Sequence, residues 1–306
     1  MNYSPLRYPG GKSSLYDFLK KAVEINSISD GTYIECFAGG AGAAMKLLML
    51  ENVYDVILND KDEFVFKFWK SILENTEEFN KLVYDTEVTL DEWDFRRRVL
   101  TDSEIKVDMS DLEIGFTAFF LNRCNRSGIL NAGAIGGRNQ VGKWKLDARY
   151  NKGLLISKIE KIAYYKDRIR LYNLDAIDFL KKIKKIDNGE KELFIYLDPP
   201  YVEQGDGLYR EKFKELDHIK LSKYLQRSLG KYKWLVSYDD HKLINDCYKE
   251  VEKNIFEFNY FANKTKVGRE LVICSKKFNV PQIYKHYSKE KRLEKSGVGL
   301  KEAHAI

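Results

Sequence analysis

Between Thr32 and Asp60 the chain reads Thr-Tyr-Ile-Glu-Cys-Phe, then Ala38-Gly39-Gly40-Ala41-Gly42, then a segment carrying Ala43, Ala44, Leu47 and Leu48, then Val56-Ile57-Leu58 running into Asn59-Asp60. No other stretch restricts the fold as much. Two short apolar runs separated by a glycine turn and an apolar-faced helix predict a strand–helix–strand unit with its strands parallel. The glycines let a bound nucleoside approach the backbone. An acid about twenty residues on, at the end of the second strand, can take ribose hydroxyls. Nicotinamide and flavin dinucleotides need a similar turn, so this unit alone fits an oxidoreductase equally well.

A second stretch narrows the chemistry. Leu193-Phe194-Ile195-Tyr196-Leu197 is apolar, partly β-branched and aromatic, which predicts a buried strand, and it runs into Asp198-Pro199-Pro200-Tyr201. Consecutive prolines cannot continue a sheet ladder, so Asp198 stands where the strand stops. Ligands of open α/β sheets bind outside the carboxyl ends of the strands. A carboxylate, the fixed carbonyl of Pro199 and the ring of Tyr201 would therefore share one crevice. Two acceptors aimed at one point suit an amino group, and the ring suits a planar substrate. Turn chemistry by itself also accounts for an Asp followed by prolines.

The rest of the chain supplies more of the sheet and a long insertion. Tyr8-Pro9-Gly10-Gly11-Lys12 precedes an amphipathic helix from Leu15 to Ile25 that Ser13 or Ser14 could cap. The glycine-lysine turn can hold an anion, here a carboxylate. It is no phosphate loop, because Leu6 stands where the first glycine of that motif is required. From Phe64 through Asp111 the pattern is helical and charged, with Arg96-Arg97-Arg98 expected on an exposed, acid-balanced face. A buried helix from Ile114 to Leu121 leads into a glycine-rich polar loop or hairpin between Gly128 and Gly142. Ile169 to Asn173 reads as a strand ending near Asp175, followed by a helix from Ala176 to Ile186. Later strands are expected at Trp234–Tyr238 and Glu270–Cys274, with an edge strand at Phe256–Phe261. Lys264 to Arg269 is expected to be a basic loop, and Glu203 to Glu211 a loop able to close over a substrate.

Charge is distributed unevenly. Arg123 to Arg170 holds twelve Lys and Arg against three Asp and Glu, whereas Asp60 to Glu113 holds eight against sixteen, although the whole chain carries only +6. A basic segment interleaved with Trp144, Tyr150, Tyr164 and Tyr165 suits a phosphate backbone, although a solvated face is the commoner fate of a charge run. Within the basic segment, Arg138, Asn139 and Gln140 are side-chain types that read purine edges in the major groove. The four cysteines have no paired spacing and no clustered histidines, which argues for a reducing compartment and against structural zinc. No apolar run approaches the roughly 18 or more residues of a membrane span, and the amino terminus shows no signal-peptide pattern.

Together these pieces resemble the Dam-type family of DNA adenine methyltransferases. The match rests on Tyr8-Pro9-Gly10-Gly11-Lys12, on Glu35-Cys36-Phe37-Ala38-Gly39 and on Asp198-Pro199-Pro200-Tyr201, in the family's order, and spans about Arg7 to Phe278. The resemblance implies a Rossmann-like S-adenosylmethionine methyltransferase sheet, α/β in class, with an inserted, mostly helical target-recognition domain carrying a hairpin loop. It divides the chain into a discontinuous catalytic domain, 1–65 and 168–285, an insertion, 66–167, and a basic tail, 286–306. Catalysis would rest on Asp198, Pro199 and Tyr201. S-adenosylmethionine would meet Tyr8, Gly10, Lys12, Glu35, Phe37, Gly39, Asp60, Asp175 and Asp198. Arg123, Arg126, Ser127, Asn131, Arg138, Asn139, Gln140 and Lys143 would contact double-stranded DNA. The chain departs from the family in the hairpin. There Arg126-Ser127-Gly128 replaces Tyr-Asn-Gly, and Asn131 stands where a guanine-reading Arg is expected, so GATC recognition does not carry over.

The implied activity is transfer of methyl to the exocyclic amine of a flipped adenine, in a bacterial or phage-encoded cytoplasmic enzyme. It needs no metal and no membrane, and is compatible with a cognate restriction endonuclease as partner. The same chemistry on a cytosine amine, RNA or protein glutamine, and a catalytically silent DNA-binding module, are the alternatives. The sequence leaves the recognition site and the oligomeric state open.

Overall fold

The computed structural model describes residues 3–7, 15–202, 213–251, 253–262, 264–281 and 288–289, without the side chains of 255–270 and 288–289. An amphipathic helix, α1 (Tyr16–Ile25), precedes β1 (Thr32–Glu35), α2 (Gly42–Met49) and β2 (Asp55–Asn59), as the periodicity predicts. A run of helices follows: α3 (Glu63–Glu74), α4 (Thr76–Asp85), α5 (Leu90–Thr101), α6 (Ser103–Val107), α7 (Asp111–Cys124) and α8 (Lys152–Tyr164). The chain then returns to the sheet through β3 (Ile169–Tyr172), α9 (Ala176–Ile186), β4 (Leu193–Leu197), α10 (Glu215–Ser228), β5 (Lys233–Asp239), α11 (Lys242–Cys247), β6 (Lys253–Ala262), β7 (Lys264–Cys274) and β8 (Ser288–Lys289).

The strands form one sheet in the order β3-β2-β1-β4-β5-β7-β6-β8. The first five are parallel, and β7 inserts antiparallel between β5 and β6. This is the expected Rossmann-like sheet. Neighbouring side chains on one strand go to opposite cores: Tyr33 and Phe194 to the face covered by α1 and α2, Ile34 and Ile195 to the face covered by α9 and α10. Burial on both sides explains why these strands read as continuous apolar runs rather than alternating ones.

The helical insertion joins the first of these cores. Phe68, Phe79, Phe116 and Phe119 form a cluster of rings with centroids 5.5–6.1 Å apart. They belong to the same contiguous apolar cluster as Leu19 and Leu47 of the sheet's helical cover. The first helix of the insertion, α3, begins at Glu63, capped by the Asp62 side chain accepting from the Phe64 amide at 2.9 Å.

Two expectations are corrected here. Lys264 to Arg269 is not a loop but the first half of β7, paired with β6 from Ala262↔Lys264 to Lys253↔Ile273. The long ladder overrides the weak strand propensity of a Lys- and Gly-containing segment, because pairing satisfies every second backbone group whatever the side chains are. The expected edge strand, Phe256–Phe261, lies inside β6 and pairs with β7 along its length, while β8 pairs only with Asn254 and Ile255 just before it. Arg96 is not on an exposed face. It is 6 % exposed, and its guanidinium donates to Glu92 and Glu113, each at 2.6 Å, under the ring of Phe116. Residues 203–211, and the tail apart from 288–289, lie outside the described residues.

Candidate active site

β1 and β4 are adjacent and parallel, with Glu35 opposite Tyr196 and the Cys36 amide donating to the Tyr196 carbonyl at 3.1 Å. Their carboxyl ends therefore open into one crevice, at the point where the strand order reverses. The glycine turn and Asp198 share it.

Asp198 is half-buried, and Pro199 and Pro200 are buried, with no regular structure after Leu197. The Ser237 hydroxyl, on the neighbouring strand β5, donates to Asp198 Oδ1 at 2.9 Å. The Tyr196 hydroxyl lies 2.9 Å from the same serine oxygen. A hydroxyl has one proton to give, and Ser237 gives it to Asp198, so Tyr196 donates to Ser237. Both hydroxyl-bearing residues are buried, which fixes the carboxylate's orientation from behind. Tyr201 is half-buried at the mouth of the turn.

Glu35 lies on the inner side of the turn, 5 % exposed. Its Oε1 accepts from the Tyr33 hydroxyl and from the Ala44 amide, both at 3.2 Å. Ala44 is in the first turn of α2, whose N-cap, Ala41, offers no side-chain acceptor, so Glu35 supplies one from the strand. Burial pushes its carboxyl up to about 8, with Asp198 nearby adding to the rise against the pull of the two donors. Gly39 has φ 46°, in the left-handed region, and Ala41 follows it there at 42°. The Gly39 amide donates to Asp60 Oδ2 at 2.7 Å and its carbonyl accepts from Trp69 Nε1 at 2.9 Å. The insertion's first helix thereby grips the turn.

Asp60 also accepts from the Asp62 amide through Oδ1 at 2.9 Å, so both its oxygens have set directions. Asn59, beside it, donates to the carbonyls of Cys36 and Leu174, each at 3.0 Å, and ties together the ends of β1, β2 and β3. Asp175 caps α9 by accepting from the Ile177 amide at 3.0 Å and stands 3.9 Å from the Lys61 ammonium. Phe37 is half-buried and meets Phe213 edge-on at 5.6 Å. Phe213 in turn meets His218 edge-on at 4.6 Å. His218 Nδ1 is 3.1 Å from the Tyr238 hydroxyl, and burial lowers this histidine to about 4, so it is neutral at pH 7.

Glu35, Phe37, Gly39, Asp60, Asp175 and Asp198 thus gather at one end of the sheet. Tyr8, Gly10 and Lys12 lie outside the described residues. The residue just before them is clipped in place: Asn122 accepts from the Arg7 amide at 2.7 Å and donates to its carbonyl at 2.6 Å. The residues missed by sequence reasoning are Ser237, Tyr196 and Asn59. A hydroxyl or amide inside an otherwise apolar strand was the available signal.

The expected DNA-contacting residues divide. Arg126, Ser127, Asn131, Asn139 and Lys143 are exposed on the segment that follows α7. Arg138 is exposed and ion-paired with Asp94. Arg123 and Gln140 face inward. The Arg123 guanidinium donates to the carbonyls of Arg149, at 2.7 Å from Nε, and of Pro5, at 3.2 Å, and burial lowers its pKa to about 10. Gln140 donates to the carbonyls of Ile135 and Gly137 and accepts from the Leu146 amide at 2.8 Å, so it closes the loop on itself. An antiparallel bridge, Asn125↔Ala134, supplies the expected hairpin. All four cysteines are free, and among the described residues no group of His, Cys, Asp and Glu could hold a metal. No helix among them is long and apolar enough to cross a membrane.

A sheet of this order, with a glycine turn and an Asp-Pro-Pro-Tyr terminus on adjacent strands at the switch point, defines the class of S-adenosylmethionine-dependent methyltransferases. Residues 8–266 match the family model of the D12 class N6 adenine-specific DNA methyltransferases. The chain belongs to that family. Among solved structures it is similar to a SAM-dependent methyltransferase from Agrobacterium tumefaciens, with 11 % identity, a TM-score of 0.38, and coverage of 86 % of this chain and 61 % of that one. It is also similar to the rRNA methyltransferase AviRa from Streptomyces viridochromogenes, with 12 % identity, a TM-score of 0.35, and coverage of 84 % and 83 %. The chain thus spans less than two thirds of the Agrobacterium protein. No curated protein matches it.

Proposed function

We propose that the chain methylates the exocyclic amine of adenine in double-stranded DNA. One observation carries this reading: Asp198, oriented by Ser237 and Tyr196, opens into the same crevice as the Gly39 turn and the carboxylates of Asp60 and Asp175.

The donor set fits S-adenosylmethionine. Asp60 and Asp175 offer acceptors at the ends of β2 and β3 for hydroxyl and amino donors, Phe37 an apolar wall, and Gly39 a turn that presents backbone rather than side chain. When bound, the cofactor supplies a sulfonium-activated methyl group. The remaining chemistry belongs to the chain. Asp198 and the Pro199 carbonyl accept hydrogen bonds from the two N–H groups of an adenine amine. That opposes delocalisation of the nitrogen lone pair into the ring and leaves it pointed for attack. Tyr201 stacks on the base. With reactants held this way, positioning supplies most of the acceleration and little further acid–base help is needed.

The target base reaches this crevice by leaving the duplex, and the exposed Arg126, Ser127, Asn131, Asn139 and Lys143 lie on the segment that meets the DNA. The insertion at 66–167 is the target-recognition unit, in a cytoplasmic protein of bacterial or phage origin, and a restriction endonuclease of the same site specificity is a compatible partner. Sequencing DNA from cells expressing the chain, with detection of modified bases, tests both chemistry and site. N6-methyladenine at one sequence is expected, and its absence after expression of Asp198→Ala. Methylated cytosine, or methylated adenine from the Asp198→Ala variant, would overturn the proposal.

A further inference from the structure

The loop between Asn125 and Arg149 is built to hold one aromatic ring out in solvent. Its ends are pinned. Asn125 accepts from Trp93 Nε1 at 2.6 Å, and the Arg149 carbonyl accepts from Arg123. Its middle is closed by the three Gln140 bonds described above, and Gly136, with φ +81°, packs where a Cβ would stand 2.7 Å from the Trp144 carbonyl. From this closed frame Trp144 emerges 57 % exposed, beside Val141 at 84 %. The Lys143 ammonium is 5.5 Å and the Arg149 guanidinium 5.6 Å from the ring centre. The other three tryptophans, Trp69, Trp93 and Trp234, are buried.

The indole, with Val141 beside it, leaves on an ordered loop a flat apolar face that a planar partner can cover. Two flanking cations specify the partner's sign. A flat ring with two cations close to it matches a nucleobase and its neighbouring phosphates, the same combination by which single-stranded nucleic acid is held. The loop hangs from α7, which packs on α3, and α3 grips the Gly39 turn through Trp69. The ring is therefore carried by the elements that border the crevice.

We propose that Trp144 is a DNA-binding residue that stacks on a base of the bound DNA, while Lys143 and Arg149 meet the phosphates on either side of that base. This rests on the chain acting on DNA, and the test separates the two. Tryptophan emission is followed while wild-type protein is titrated with mixed-sequence duplex DNA. Because the other indoles are buried, quenching on binding is expected to come from Trp144. Trp144→Ala is expected to abolish the quenching and weaken binding about tenfold or more, the usual cost of losing one base–aromatic stack. Trp144→Phe, which keeps a ring, is expected to bind within about threefold of wild type while also losing the signal. Thermal unfolding of both variants should match wild type, as the residue is exposed. If the wild-type protein binds no DNA, both readings fail. If it binds and Trp144→Ala binds as tightly, or if the quenching persists in that variant, only the stacking role fails.

Discussion

The Ser237→Ala substitution isolates what holds Asp198 in place. In the structure the hydroxyls of Tyr196 and Ser237 form a relay ending on Asp198 Oδ1, with both steps 2.9 Å and both donors buried. Removing the serine oxygen takes away a hydrogen bond to a charged group, roughly 1.5–3 kcal/mol net, and the hydroxyl–hydroxyl bond from Tyr196, roughly 0.5–1.5 kcal/mol. The first loss falls on the carboxylate that, under the proposed function, orients the amine. Converted at about 1.4 kcal/mol per tenfold, it predicts a kcat reduced roughly 10- to 100-fold with the KM for S-adenosylmethionine little changed. The second falls on stability and should appear as a small drop in the unfolding temperature. A hydrogen bond to the ionised form favours that form, so the acid limb of the pH–rate profile should also move up in Ser237→Ala. Glu35, Tyr33 and Tyr238 couple electrostatically to this carboxylate, and none of them is altered by that change. Radiolabelled methyl transfer to DNA across pH, alongside thermal unfolding, gives all three quantities. A Ser237→Ala enzyme with wild-type kcat and an unmoved acid limb, beside an inactive Asp198→Ala, would show that the relay does not orient the acid.

Two further expectations concern stability. Gly128 has φ +77°, and a Cβ there would lie 2.4 Å from the Arg7 carbonyl, so Gly128→Ala should destabilise by at least about 1–3 kcal/mol in denaturant unfolding and loosen the Asn122–Arg7 clip. Glu35, held at about 8 in the folded state against about 4.5 unfolded, binds its proton more tightly when folded. Stability should therefore be highest below pH 4.5 as far as this group is concerned. It should fall by up to about 1.4 kcal/mol per pH unit on the way to 8, a slope that Glu35→Gln flattens while keeping the acceptor for Tyr33 and Ala44. An unchanged slope in that variant would mean the buried carboxyl is not the source.

The sheet and its crevice were readable from the sequence because they are made by local pattern. Apolar runs, a glycine turn and a double proline each specify a backbone state within a few residues, and parallel strands of that kind have few arrangements. Ser237 and Tyr196 were hidden because their role depends on which strands are neighbours, and β5 comes to lie beside β4 only in the assembled sheet. Arg96 was misplaced for the same reason: its partner Glu113 is on another helix. Lys264 to Arg269 looked like a loop because its composition is poor for a strand, and only the pairing with β6 makes it one. In the basic segment, residue type suggested DNA contact for Arg123 and Gln140 but could not show the backbone carbonyls that both also hold, because those come close only in the folded chain.

The single apolar cluster that runs from Leu19 and Leu47 through Phe68 to Phe119 has an evolutionary corollary. Residues 66–167 hold one part of a continuous interior and the sheet's helical cover another, so a graft of that segment onto a relative would expose apolar surface on both. The segment hung from α7, between Asn125 and Arg149, sends only Ala134 and Leu146 into this interior, with Leu130 packed against it. There a handful of exposed side chains can drift while the scaffold beneath them stays as it is.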